Sequence, residues 1–124
     1  MRISNENLLN VSVPSMDSDF QLRPVWLGHI AQYAIQLTFS GTPDGTFSLQ
    51  CSNDPGNPNA QAQAEQYEGV DHWTTITGSA TVVSAAGDIT WNAENVGYRW
   101  VRVAYTSNNP GGVMETAIAN LKGV

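Results

Sequence analysis

The chain is poor in charge. Only 13% of its 124 residues are Asp, Glu, Lys or Arg, against about a quarter in ordinary soluble domains. Its surface must therefore be covered by Ser, Thr, Asn, Gln and Gly. Basic residues are the scarcest: five Lys plus Arg stand against 11 Asp plus Glu, for a net charge of −6. Nucleic-acid binding needs a basic face that neutralises many phosphates. An anionic membrane surface asks for the same. Neither is an expected partner. A single cysteine, Cys51, excludes a disulfide within the chain. No apolar run approaches the roughly 20 residues of a membrane-spanning helix. The start, MRISNENLLNVSV, has no apolar stretch of the length a secretory signal uses. Synthesis in a cytoplasm without a signal peptide is the expectation.

Patterns that carry chemistry are equally scarce. His29 and His72 are the two histidines, and neither sits in a metal-ligand spacing. No serine lies in a G-x-S-x-G turn. There is no phosphate loop and no dinucleotide fingerprint. The stretch SNDPGNPN (52–59) is rich in oxygens, but one Asp among several Asn makes a poor calcium set. Side chains capping their own backbone explain it as well. Asp17, Asp19, Asp44 and Asp54 are loop acids. The expectation is a chain that is not an enzyme and holds no metal or cofactor.

What is present is alternation. In HIAQYAIQLTFS (29–40), Ala31, Tyr33, Ile35, Leu37 and Phe39 share one face and polar residues take most of the other. Period two over this length reads as a half-buried strand. TFSLQC (46–51) alternates again, with Phe47, Leu49 and Cys51 inward, and GTPDG (41–45) between the two strands predicts a hairpin. LLNVSV (8–13) reads as a short strand. FQLRPVWLG (20–28) is extended, with Pro24 arguing against a central position. Strands are expected in 72–78, 79–85, 87–93 and 98–106. The stretch 113–121 is read as a strand that makes a hairpin with 98–106 through Gly111-Gly112, with Ala117, Ala119 and Leu121 on one face. The polar segment 52–71 is a long loop expected to project, with a helical turn or two in AQAQAEQ (60–66). Short strands with regular glycine turns point to an all-β fold, an antiparallel β-sandwich of jelly-roll-like form. The domain reading is an N-terminal arm over 1–19 and a single sandwich over 20–124.

In YRWVRVAYT (98–106), Val101, Val103 and Tyr105 share the core face with Arg99, and Trp100 and Arg102 share the other. A Trp beside an Arg can stack and hydrogen-bond a sugar or a partner protein. An Arg stem covering a ring at a sandwich edge explains the same pair. Trp73, at a strand start after the long loop, is the other candidate. A ligand platform would therefore use Trp100 with Arg102, or else Trp73 near the long loop. Trp91 is expected in the core. An interface would use Ile3, Leu8 and Leu9 of the arm with Trp26 as anchor. The competing expectation is that the arm folds back as an extra edge strand of its own sandwich.

A wider pattern runs through GTPDGTFSLQCSND (41–54), WTTI (73–76) and GDITWNAENVGYRWVRVAYT (87–106), followed by a Gly-rich turn and a last strand. Across about residues 26–121 it resembles small β-sandwich virion proteins of bacteriophages. The resemblance implies a structural component of a virion: a minor capsid, capsid-decorating, vertex or tail protein. It also implies a homo-oligomer whose partners are itself and other virion proteins. Locally, YRWVRV is similar to the last-strand region of discoidin-like galactose-binding sandwiches. That family's greater length and cysteine pair are absent here. The second likeness implies the alternative, a carbohydrate-binding module that attaches to a surface glycan.

Overall fold

A computed structural model describes residues 3–9, 15–94 and 96–123. The elements in chain order are β1 (Ile3–Asn7), β2 (Phe20–Gln21), β3 (Val25–Trp26), β4 (Ile30–Ser40), β5 (Asp44–Ser52), the single turn α1 (Gln63–Gln66), β6 (Thr74–Thr75), β7 (Thr81–Val83), β8 (Gly87–Glu94), β9 (Trp100–Asn109) and β10 (Val113–Gly123). They form two sheets, and every pairing is antiparallel. The first sheet has the order β1-β10-β4-β8. The second has the order β2-β9-β5-β6, with β3 also on β9 and β7 also on β5.

β2 and β3 are two pieces of one edge strand, interrupted around Pro24, which has no N–H to give a ladder. β6 and β7 likewise share the edge along β5. With each pair counted as one strand, eight strands run 1-8-3-6 in the first sheet and 2-7-4-5 in the second. That order is a jelly roll.

The expected hairpins are not there. β4 lies in the first sheet against β10 and β8, while β5 lies in the second against β9. β9 and β10 are divided in the same way. Both connections cross from one sheet to the other. Alternation says which side chains face the core, and a glycine turn says that the chain reverses. Neither says whether it reverses within a sheet or across the sandwich. Here the two crossings pack on each other at one end of the molecule. Pro43 is buried between them, and Gly112 has φ of 91°. A Cβ on Gly112 would fall 2.8 Å from the Pro43 Cβ.

Two further expectations are corrected. The arm's strand lies at 3–7 rather than 8–13: Leu8 and Leu9 follow it, and 10–13 fall outside the described residues. β1 pairs with β10, Asn5 opposite Asn120, as an edge strand of its own sandwich. The long loop does not project. It folds back over the second sheet, as described below.

The strand reading of the last segment holds. Val113–Gly123 contains good helix formers, but pairing between β1 and β4 overrides local propensity. Met114, Ala117, Ala119 and Leu121 are buried, and a register shift between Met114 and Thr116 accounts for the odd spacing. From β4, Tyr33, Ile35, Leu37 and Phe39 fill the core. At its centre the Phe47 ring lies 4.6 Å from Tyr105 and 5.5 Å from Phe39, between centroids, and Phe20 stacks on Tyr105 at 5.2 Å. Trp91 packs against the same core and donates its Nε1–H to the Ser79 carbonyl at 3.0 Å.

Candidate ligand recess and exposed faces

Period two on β9 sends Val101, Val103 and Tyr105 into the core and leaves Trp100, Arg102 and Ala104 on the outer face of the second sheet. Gln50 lies directly opposite Arg102 on β5. Its Oε1 accepts from Arg102 Nε at 2.7 Å. Trp73, just before β6, lays its ring over the guanidinium, whose carbon is 4.2 Å from the ring centroid. The ring is held in place by its own Nε1–H, donated to the Val70 carbonyl at 3.0 Å. Burial lowers the Arg102 pKa. Among the described residues no carboxylate lies within ion-pair distance of Arg102, and its two terminal nitrogens make no hydrogen bond.

Beside this stack is a recess of about 200 Å³. One wall comes from Gln21 to Pro24, where the edge strand is interrupted. The other comes from Tyr67 and Val70 of the long loop, with Trp73 and Arg102 completing it. The sequence reading brought forward Trp73 and Arg102, and the structure places them together. It missed Gln21, Gln50 and Tyr67. Pro24, as a strand breaker opposite an Arg-bearing strand, was the one available signal for the gap.

Trp100 is not part of this recess. It is 1% exposed. Its ring packs on Trp26, centroids 5.0 Å apart, and the long loop covers it. At Gly56 (φ 57°) a Cβ would fall 2.7 Å from Trp100 Cζ2 and 3.0 Å from a Val70 methyl. Only a glycine lets the loop lie this close.

The loop is tied to itself and to the sheets. The Asp54 carboxylate accepts from the backbone N–H of Asp71 at 2.8 Å and of His72 at 2.9 Å, and meets His72 Nδ1 at 3.0 Å. The His72 N–H, the Asp71 N–H and the His72 ring hold the Asp54 pKa down to about 2, while the same carboxylate raises that of His72. The Asn57 N–H donates to the Gln66 carbonyl at 2.7 Å. The bonded side-chain oxygens of the 52–59 stretch serve backbone N–H groups and the His72 ring: Ser52 Oγ accepts from the Asp54 N–H at 3.1 Å, and Asn53 Oδ1 from the Arg99 N–H, across the chain, at 3.2 Å. Among the described residues no group of three His, Cys, Asp or Glu could hold a metal ion. Arg23 joins the edges of the two sheets. Its Nη2 donates to the Asn7 carbonyl at 2.8 Å, its Nη1 lies 3.6 Å from Glu6, and Gln63 of the loop, amide oxygen turned inward, accepts from it at 3.2 Å.

The candidate interface residues are dispersed. Ile3 sits in β1, its side chain outside the described residues. Leu8, 1% exposed, is buried in the molecule's own core. Leu9 is half-buried beside Asn7, Glu115 and Ile118 in a shallow depression of about 420 Å³. Trp26 is half-buried on Trp100. The outer face of the first sheet carries Gln32, Ala34, Gln36, Thr90, Asn92 and Asn120 along paired positions. Charge appears at its two ends: Glu94 and Lys122 at one, where a groove of about 440 Å³ lies, and Asp88, opposite Thr38, with Glu115, bonded to Ser40, at the other. Ile118, 43% exposed near its middle, and Val113, 44% exposed at the Asp88 end, are its large exposed apolar side chains among the described residues. Where the sandwich closes, the Tyr33 and Tyr98 hydroxyls meet at 2.6 Å, and burial first, then this bond, pushes the Tyr33 pKa far up. Burial also raises the Cys51 thiol, which suits a small apolar residue better than a reactive one.

No family profile matches the sequence, and no curated protein matches it. Among solved structures, 50 chains match. The SPBc2 prophage-derived protein YomS is 10% identical with a TM-score of 0.53, over 97% of this chain and 92% of that one. The coat protein of Tobacco streak virus is 8% identical with a TM-score of 0.47, over 99% of this chain and 87% of its own. A two-module xylanase chain of Clostridium thermocellum, CBM22-1 with GH10, is 12% identical with a TM-score of 0.47, over 96% of this chain and 26% of its own. The likeness to YomS is one of fold: a small all-β sandwich.

Proposed function

We propose that the chain is a non-enzymatic structural component of a bacteriophage virion, a minor capsid, capsid-decorating, vertex or tail protein acting through contacts with copies of itself and with other virion proteins. The observation that carries this reading is the jelly-roll strand order, an arrangement that viral capsid domains use. The fold is shared with a prophage-derived protein along nearly the whole of both chains. The outer face of the first sheet supports it too. The middle of that face carries no charged group among the described residues, so a contact there takes no charge out of water: Gln, Asn, Thr and Ala lie around Ile118. A standard contact covers on the order of 800 Å² per partner. The test is mass by light scattering as concentration rises. A discrete oligomer at high micromolar protein, weakened by Ile118→Asp, is expected. A strict monomer would remove self-association from the proposal.

Lectin domains also use jelly rolls, and the Trp73–Arg102 stack beside an open recess favours a second reading, a carbohydrate-binding module used for attachment. Titration against a glycan panel, followed by tryptophan fluorescence, separates the two. Silence at millimolar sugar leaves the structural reading alone.

A further inference from the structure

We infer that the recess beside Trp73 and Arg102 takes an acidic sugar, a uronic-acid residue whose carboxylate is received by the Arg102 guanidinium. This rests on the glycan-binding reading of the same recess and narrows it from sugars in general to one charge class.

Three observations lead there. The first is the state of Arg102. A guanidinium has five N–H donors in a planar fork. Here Nε is bonded to Gln50, one flat face lies under Trp73, and the two terminal nitrogens have no partner among the described residues. The chain has only five Lys plus Arg among 11 Asp plus Glu. A half-buried cation without a carboxylate is therefore conspicuous in a molecule with acids to spare. Arg23 on the other side of the recess provides the contrast. It is occupied by the Asn7 carbonyl and by Glu6.

The second is orientation. The Trp73–Val70 hydrogen bond fixes the indole, and the indole and Gln50 together fix the guanidinium plane. A fork held in this way suits a planar carboxylate, which can accept two parallel N–H bonds. One uncompensated positive charge matches a monoanion. A phosphate, at nearly twice that charge, would meet a molecule of net charge −6 with one unpaired cation, Arg102, among the described residues of the recess.

The third is the rest of the lining. Tyr67, Pro24 and Val70 offer ring and aliphatic surface, and Gln21 offers an amide. Apolar walls with a few oriented polar groups are what a ring bearing hydroxyls requires. At about 200 Å³ the recess suits one sugar unit rather than a chain segment.

The test is calorimetric titration of the full chain with galacturonate, glucuronate, galactose, acetate and N-acetylglycine. Saturable binding of a uronate is expected, at least about tenfold tighter than galactose, because hydrogen bonds to charged groups are the stronger ones. Acetate should bind more weakly than the uronate, since it lacks the ring. Arg102→Gln should abolish the uronate preference, and Arg102→Lys, which keeps the charge but not the fork, should weaken it. Thermal melting verifies that both variants fold. If Arg102→Gln does not fold, Tyr67→Ala takes its place, with loss of the advantage of the uronate over acetate as the expected result. Equal affinity for galactose and galacturonate would overturn the inference and leave the glycan reading standing. No binding of any sugar would overturn both. Acetate binding as tightly as the uronate would reduce the recess to a free-carboxylate site. Tighter binding of N-acetylglycine than of either uronate would assign it to a peptide terminus instead.

Discussion

Phe47 has no exposed surface and touches three other rings, from Phe20, Phe39 and Tyr105. Truncation removes both the transfer free energy and the packing around it, so Phe47→Ala should cost about 3–5 kcal/mol. Chemical denaturation measures this, and a loss under about 1 kcal/mol would mean that the ring is not central to the core. Asp54 and His72 give a prediction of a different kind. The folded carboxylate titrates near 2, so its contribution is present above the usual carboxylate range and disappears as pH falls through about 2. His72 is raised, so its contribution is full below about 6.5 and is lost as pH rises through the higher folded value. The pair is therefore intact from mildly acid pH to somewhat above 6.5. An NMR titration of the His72 ring should show a midpoint above about 6.5, returning toward it in Asp54→Asn. An unchanged midpoint in that variant would show that the contact is not made in solution. Period two on β9 made it readable from sequence that Trp100 and Arg102 share a face. It could not show that Trp100 is covered, because the cover comes from Gly56 and Val70, far away along the chain and in a segment too polar to look like a lid.

At the scale of elements, strands were easier to read than their connections. Alternation located β4, β5, β8 and β9, and the glycine before Val113 marked where β10 begins. The turns were read as hairpins because a hairpin is the shortest reversal that alternation allows. What decides between a hairpin and a crossing is whether the two inner faces lie side by side or face each other, and the Phe39–Phe47 contact across the sandwich is absent from any local pattern. β6 and β7 were shorter than read, Thr74–Thr75 and Thr81–Val83, since each holds only part of the β5 edge. The folded-back loop is itself testable. Gly56→Val would place a branched side chain against Trp100 at a positive φ and should lift the loop. Expected are a stability loss of about 1–3 kcal/mol and a red shift of tryptophan emission as Trp100 meets water. An unshifted spectrum with unchanged stability would indicate that the loop does not cover that ring.

At the scale of the whole molecule, strand alternation and regular glycine turns pointed to a sandwich, and the jelly-roll form was expected from the same pattern. The destination of the first strand was less clear. β1 completes the edge of the first sheet, and Arg23 ties that edge to the second sheet through the Asn7 carbonyl. Both partners of this tie are polar and lie 16 positions apart, so no hydrophobic pattern announced it. The functional reading stands on the strand order, because the order determines which side chains share the amide-rich face and which line the Arg102 recess. Interstrand NMR contacts test that order most directly. Backbone contacts should join Leu37 to Ala117 and Leu49 to Val103, with no ladder between Ile30–Ser40 and Asp44–Ser52. A continuous ladder between those last two strands would contradict the jelly roll and with it the proposed faces.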